Sequence, residues 1–198
     1  RPDQQLIIDG NISDSLQDSV RLTLENFDIS GLSVLLERTG YDIDGVSNGY
    51  AVVKSALQNP EVNASIALDS LKINGISVAP QFITSNWDMV GDRAHIIITD
   101  RGLNETVVEG YYQPISNRYS AKAKIRNASM SLLKPYLKSV LSDIEGVADI
   151  DAKIEGEGNK AILSGDLSAK DFGATVNYTK VRYKAPTAKF TIDSNHIR

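Results

Sequence analysis

Strict alternation of apolar and polar residues runs through most of this chain. Val20, Leu22 and Leu24 alternate with polar or charged residues, and Ile150 and Ile154 belong to a run of the same kind. Successive side chains of a strand point to opposite faces, so such runs predict strands with one apolar and one polar face. Roughly a dozen runs, separated by Gly, Asn, Asp or Pro, predict a mainly β protein built as an antiparallel meander.

The chain also contains an internal repeat. The segment 42–46, DIDGV, returns as DIEGV at 143–147, an offset of 101 residues (144 minus 43). Alternating apolar positions match at the same offset, and a leucine-rich segment precedes each copy. We assign approximate repeats to residues 20–118 and 119–198, within a single elongated β fragment that covers residues 1–198. A repeated unit of this kind is typical of an extended array.

One segment has the spacing of a helix. In Ser131–Leu141 the apolar residues recur at i, i+1, i+4, i+5, i+8 and i+9, which places them on one helical face. Ser131 is the expected N-cap, and Pro135 would lie in the first turn. The equivalent residues 32–39 predict at most two turns before Gly40. We expect both segments to be short plugs that cover the apolar face of the sheet.

Composition narrows the possible functions. The basic residues are scattered and the net charge is −4, which argues against a nucleic-acid partner. The absence of cysteine excludes disulfides, thiolate nucleophiles and cysteine-based metal sites. His95 and His196 lack a recognisable nucleophile and orienting partner. We therefore expect no enzyme, no catalytic residue, no cofactor and no metal site.

The aliphatic face predicted by the alternation must be hidden from water. The sheet can close as a barrel, pair as a sandwich, or curl into a trough that holds an apolar ligand. Barrels and sandwiches usually fill their interior with large side chains, whereas many inward positions here are as small as Ala64, Ala123 and Gly165. The small lining favours an open groove. The predicted groove-lining residues are Val20, Leu22, Leu24, Val62, Ile66, Leu68, Ile125, Ile150, Ile154, Leu163, Leu167, Val176, Phe190 and Ile192.

The second copy carries a series of short motifs in a fixed order. They are Leu133-x-x-Tyr136-Leu137, then IEGV at 144–147, AKIEG at 152–156, LSGDL at 163–167 and VNY at 176–178. This order resembles the TamB family, the inner subunits of the translocation and assembly module of Gram-negative envelopes, which are related to AsmA-like and bridge-like lipid-transfer proteins. The resemblance covers most of residues 20–185. The first copy departs from it at Ala64, where the family usually has glycine.

The resemblance implies a β-taco, a long curled antiparallel sheet with a hydrophobic interior and one or two short helices. It implies a periplasmic segment of a parent protein anchored in the inner membrane. The groove would carry phospholipid or other acyl chains between the membranes, assist outer-membrane protein assembly, or do both. The implied protein partner is an Omp85-type outer-membrane barrel, contacted through regions outside this fragment. The family offers no catalytic residues to transfer.

Two other classes of function remain open from the residues alone. An extracellular or periplasmic binding or adhesin module would present exposed aromatic side chains, for which Tyr111, Tyr112, Tyr178 and Tyr183 are the candidates. A β-rich hydrolase would need a nucleophile and a base that the sequence does not display.

Overall fold

The computed structural model describes residues 3–36, 40–193 and 196–197, without the side chains of Leu35, His196 and Ile197. The structure is 68% strand and 8% helix. Thirteen strands form one antiparallel sheet that does not close on itself. The expectation of a mainly β fold on a single antiparallel sheet is confirmed.

The strands follow the chain almost in order across the sheet. They are β1 Gln5–Gly10, β2 Ser19–Asp28, β3 Ile43–Lys54, β4 Glu61–Ile73, β5 Ile76–Ser77, β6 Gln81–Asp88, β7 Arg93–Asp100, β8 Glu105–Gln113, β9 Arg118–Ser129, β10 Leu141–Glu157, β11 Lys160–Val176, β12 Val181–Asp193 and β13 His196–Ile197. Each strand pairs with the next along the chain, except that β4 pairs with both β5 and β6. Helices α1 Ser33–Leu36 and α2 Lys134–Leu137 each follow a 3-10 turn, at Ile29–Leu32 and Met130–Leu133 respectively.

The repeat seen in the sequence extends to backbone irregularities. Between β3 and β4 the register shifts beside Gly45, and between β10 and β11 it shifts beside Gly146. The opposing strand carries a left-handed residue at each place, Ser70 in one copy and Asp171 in the other. Both pairs of positions differ by 101 residues, because 146 minus 45 and 171 minus 70 give the same offset. A β-bulge therefore bends each copy at the same point.

A second bulge is also duplicated, and a side chain stabilises it. Asn26 in β2 and Asn127 in β9 both adopt positive φ, 47° and 55°. The backbone N–H of Asn26 donates to Oδ1 of Asn48 at 2.8 Å, and that of Asn127 donates to Oδ1 of Asp149 at 3.0 Å. Asparagine tolerates the left-handed region better than most residues, and the acceptor on the neighbouring strand satisfies the N–H that the bulge removes from the ladder.

The prediction of a helix over Ser131–Leu141 is wrong in its extent. The α-helix is confined to Lys134–Leu137, Pro135 does lie in its first turn, and the N-cap of the preceding 3-10 turn is Ser129 rather than Ser131. The next residues are held by hydrogen bonds from elsewhere. Asn177 donates its side-chain amide to the Lys138 carbonyl and its backbone N–H to that of Val140, both at 2.9 Å. In the first copy, residues 37–39 of the predicted turns lie outside the described residues.

Candidate functional site: the apolar face of the sheet

One face of the sheet is apolar across nearly its whole width. Residues that pair directly across an antiparallel ladder lie on the same face, so the register traces continuous rows. The central row contains only aliphatic residues and glycine. In sheet order it is Leu6, Leu24, Gly49, Ile66, Ile83, Ile98, Val108, Ala123, Ala152, Gly165 and Ile192.

The register brings the predicted groove-lining residues together on this face. Leu24, Ile66 and Ile192 lie in the central row. The row beside it contains Leu22, Ile154 and Leu163. Val20 pairs with Val53, which in turn pairs with Val62. Leu68 pairs with Ser47. Ile125, Ile150, Leu167 and Phe190 form a further row, and Val176 opposes Leu141 at the end of β11. Of these residues only Leu167 is buried, and Leu163 is exposed.

The sequence reasoning missed the contribution of the middle strands. Ile83, Ile96, Ile98 and Val108 carry the apolar rows across β6, β7 and β8, and they link the two copies of the repeat. The alternation of these residues with polar ones was the sequence signal that could have placed them on the apolar face. In particular, the run of three isoleucines after His95 places Ile96 and Ile98 on the apolar face and Ile97 on the polar face.

Polar residues that fall on the apolar face have internal hydrogen-bond partners. The buried hydroxyl of Ser85 donates to the Val62 carbonyl at 3.0 Å, and that of Ser47 donates to the Phe27 carbonyl at 3.3 Å. The amide N–H of buried Gln81 donates to the Ala79 carbonyl at 2.9 Å, whereas its Oε1 is buried without a hydrogen-bond partner. The two serine hydroxyls therefore interrupt the apolar surface without requiring water.

Most of the apolar face has no covering layer among the residues that the structure describes. Its aliphatic side chains are mainly half-buried. The accessible surface is 12613 Å², whereas a compact monomer of 21.6 kDa would expose roughly 9,200 Å² by the usual scaling. The excess shows that the open sheet exposes more surface than a compact fold of the same mass. Two open hollows, of about 490 and 440 Å³, do not belong to this face, because polar-face residues such as Lys122, Lys153 and Glu155 line them.

The second plug, residues 130–137, covers one end of this face. Met130 is 2% exposed and clusters with buried Ile144, Ala148 and Leu167, while Leu137 packs at the margin of the cluster. The hydroxyl of Ser131 donates to the Ile144 carbonyl at 3.0 Å and ties the 3-10 turn to β10.

The first plug, residues 29–36 with Gly40 and Tyr41, occupies the equivalent place in the first copy. Ile29 precedes Met130 by 101 residues and is likewise buried. Its side chain lies beside Gly45, the bulge glycine of β3. Ser33 anchors this plug twice, because its hydroxyl donates to the carbonyl of Ile43 and accepts from the N–H of the same residue, each at 2.9 Å.

The two plugs contact each other, although six strand spacings separate β3 from β10. The hydroxyl of Tyr41 donates to the Leu132 carbonyl at 2.9 Å, and the rings of Tyr41 and Tyr136 lie 5.8 Å apart. A Cβ on Gly40 would lie 3.2 Å from Cβ of Pro135. The pKa of Tyr41 is raised to about 12, mainly by burial of its hydroxyl and to a smaller extent by the neighbouring Tyr136.

The opposite face of the sheet is polar and carries ion pairs between neighbouring strands. Arg126 binds both carboxylate oxygens of Asp151, at 3.0 and 3.1 Å. At the β6–β7 turn the Asp88 carboxylate accepts from the backbone N–H of Gly91 and from Arg93, and these two interactions lower its pKa. Such exposed pairs contribute little stability individually but keep this face hydrated.

The aromatic candidates are divided between the two faces and a turn. Tyr111 lies on the polar face, where its ring stacks with His95 at 4.6 Å and has the Arg93 guanidinium 3.9 Å from its centroid. Tyr112 and Tyr183 oppose Ala94 and Ala174 on the apolar side, and Tyr178 lies in the β11–β12 turn. His95 also bonds Glu109 at 2.9 Å.

The described residues contain no group of three or more His, Asp or Glu side chains placed to hold a metal ion. No helix within the described ranges is both long and apolar enough to cross a bilayer.

Comparisons of this chain with protein-family models, with curated proteins and with solved structures give no match. The apolar face and its two plugs are therefore the basis on which a function can be argued.

Proposed function

We propose that the apolar face lines a groove that binds acyl chains, in a TamB-like segment of a Gram-negative cell envelope. The protein would act in the periplasm, with its parent anchored in the inner membrane. Its groove would pass phospholipid between the membranes, assist outer-membrane protein assembly, or do both. An Omp85-type barrel would be contacted through regions outside this fragment, and the role requires no catalysis.

The contact between the plugs is the observation that carries this proposal. Strands in a sheet are spaced by about 4.8 Å, so six spacings correspond to about 29 Å along a flat sheet. Tyr41 and Leu132 nevertheless share a hydrogen bond across that interval. Both plugs bury their anchoring side chains on the apolar side, Ile29 in one and Met130 in the other. Two groups on one face approach each other when the sheet curls toward that face, so this contact supports a sheet whose concave face is the apolar one.

The chemistry of the concave face supports an acyl chain as its ligand. The central row is entirely aliphatic or glycine, and the polar side chains at Ser47, Ser85 and Gln81 donate to backbone carbonyls. A ligand in this groove is offered dispersion contacts and few hydrogen-bond partners. Covering the accessible aliphatic surface with hydrocarbon also removes it from water, at roughly 25 cal/mol per Å².

The adhesin alternative has less support. A sugar-binding surface needs aromatic rings with a free face, but the ring of Tyr111 is stacked with His95 and contacted by Arg93. Tyr50 on the same polar face has Arg21 over its ring at 4.2 Å. Of the predicted aromatic candidates, Tyr178 alone is almost fully exposed.

The proposal is tested by placing a charge in the groove. Ile154 opposes Ala121 and Leu163 on the apolar face. An unpaired carboxylate there would be desolvated by a bound acyl chain, so Ile154→Asp should weaken phospholipid binding by at least about tenfold. Binding is measured with fluorescent phospholipid delivered from phosphatidylethanolamine–phosphatidylglycerol vesicles. Native mass spectrometry of protein purified without detergent checks for co-purified lipid.

Two controls separate the groove from the outer surface. Ser164→Asp introduces the same carboxylate on the polar face, opposite Lys153, and should leave lipid binding within about twofold of wild type. Glu155→Ala removes an exposed partner of Lys153, 2.8 Å away, and should be similarly silent. Equal effects of Ile154→Asp and Ser164→Asp, or no phospholipid bound to wild type, would overturn the groove. A surface-binding adhesin would respond to the outward changes at least as strongly.

A further inference from the structure

We propose that the contact between the two plugs is a releasable closure that sets how tightly the sheet is curled. We call it the interplug contact, formed by Gly40 and Tyr41 on one side and Leu132, Pro135 and Tyr136 on the other. In the closed state the plugs meet above the apolar face. In the open state they separate and the groove widens at that rim.

Each plug is attached far more firmly to its own strands than to the other plug. Ile29 and Met130 are buried at 4% and 2% exposure against their own copy of the repeat. Ser33 makes two hydrogen bonds to Ile43, and Ser131 makes one to β10. Separation would therefore move each plug together with the strands that carry it.

The interplug contact lies partly at the surface. It includes a hydrogen bond from Tyr41 to Leu132, a tilted pair of rings in which Tyr136 also interacts with the Tyr41 hydroxyl, and an apposition of Gly40 with Pro135. Tyr136 remains 69% exposed and Gly40 is also exposed. Because Tyr136 and Gly40 lie at the surface, this contact can open without unfolding the core beneath either plug.

The strands between the two copies are suited to absorb the movement. β6, β7 and β8 have 8, 8 and 9 residues, whereas β10 and β11 have 17 each. The connections 89–92 and 101–104 are plain turns that carry no plug. Small changes of twist, summed over the successive pairs of this section, would alter the distance between the plugs without breaking a ladder.

The closure is tested first without any ligand. The chain contains no cysteine, so spin labels can be attached at Val34→Cys in α1 and Lys138→Cys after α2, both exposed positions. Pulsed electron paramagnetic resonance should show a short-distance population, which is the closed state. Tyr136→Ala removes the ring contact and should raise the ratio of open to closed molecules about two- to tenfold. Tyr178→Ala, an exposed turn tyrosine, is the matched control and should change nothing.

A disulfide provides an independent test of the closed state. The ideal Cβ of Gly40 lies 3.2 Å from Cβ of Pro135, near the usual spacing of about 3.5–4.5 Å in a disulfide. Gly40→Cys/Pro135→Cys should oxidise readily, whereas Gly75→Cys/Pro135→Cys should not, because a Cβ at Gly75 has no atom within 4 Å. Absence of a short spin-label distance in wild type, or no change with Tyr136→Ala, would overturn the closure.

A role of the closure in lipid entry rests on the proposed groove. A final measurement tests the closure and the groove separately. The oxidised Gly40→Cys/Pro135→Cys protein should take up fluorescent phospholipid from phosphatidylethanolamine–phosphatidylglycerol vesicles at least about tenfold more slowly than the same protein after reduction. Equal rates in both states would refute a gating role. Failure of both states and of wild type to bind would refute the groove, while the spin-label distances still decide the closure.

Discussion

Replacement of Met130 tests how much the second plug contributes to stability. Met130 is 2% exposed and packs against Ile144, Ala148 and Leu167. A buried methionine replaced by alanine usually costs about 2–5 kcal/mol of unfolding free energy, including the cavity that remains. The plug lies on an open sheet and can settle partly into the space, so we expect Met130→Ala to cost about 2–3 kcal/mol. For a chain of this length that corresponds to about 4–12 °C in Tm.

Urea unfolding followed by far-ultraviolet circular dichroism measures the effect. The midpoint should fall while the slope with urea stays unchanged, since the same surface is exposed on unfolding. Met130→Leu keeps most of the volume and should cost less than about 1.5 kcal/mol. Val90→Ala removes an aliphatic side chain that is 99% exposed and should stay within about 0.5 kcal/mol of wild type. A loss for Met130→Ala no larger than that for Val90→Ala would refute the burial of this side chain by the plug.

Two further predictions concern the bulge and the interplug contact. Gly146→Ala should destabilise the fold by about 1–3 kcal/mol in urea unfolding, because φ is +109° and the new Cβ would lie 2.7 Å from the Lys170 carbonyl oxygen. Gly31→Ala is the control and should be nearly neutral, because its Cβ would have no atom within 4 Å. Equal losses for the two variants would contradict the strained bulge at Gly146. In an alkaline titration of phenolate absorbance, Tyr41 should ionise last, near its pKa of about 12, against an ordinary value of 10.0. Because the folded pKa is raised, the stability linked to Tyr41 is fully present below pH 10 and is lost as the pH rises to about 12. Tyr136→Ala should lower the pKa of Tyr41, and ionisation of all eight tyrosines together would count against a buried Tyr41.

The faces of the sheet could be predicted because alternation is a local property of the sequence. Val20, Leu22 and Leu24 share a face by their spacing alone, and the register then aligns that face with Ile154 and Leu163 in the second copy. A one-residue slip would have sent every one of these side chains to the polar face.

The predicted helix was longer than the observed one because the apolar periodicity of this segment has a different cause. Tyr136 is 69% and Val140 58% exposed, so neither lies on a buried helical face. Leu133, Leu137 and Leu141 do pack against the core cluster, but they reach it from a 3-10 turn, a single helical turn and a strand respectively. Hydrogen bonds from Asn177 hold the residues that would have continued the helix.

The interplug contact could not be predicted from the sequence. Tyr41 and Leu132 are separated by 91 residues, and nothing in the spacing of either segment indicates that they meet. Their proximity depends on the accumulated twist of the strands between them and on the two pairs of bulges. Both are properties of the assembled sheet, although Gly45 and Gly146 mark the bulge positions in the sequence.

The duplicated bulges also determine how a chain of this kind can grow in length. One copy advances the sheet by six strand spacings, about 29 Å measured across the strands, for 101 residues of sequence. A copy inserted by tandem duplication would bring its own bulges, side-chain caps and plug, and its apolar rows would align with those already present. Variants with one copy more or fewer should therefore differ in reach by a fixed increment. The number of copies, rather than any single residue, would then set how far the sheet extends across its strands.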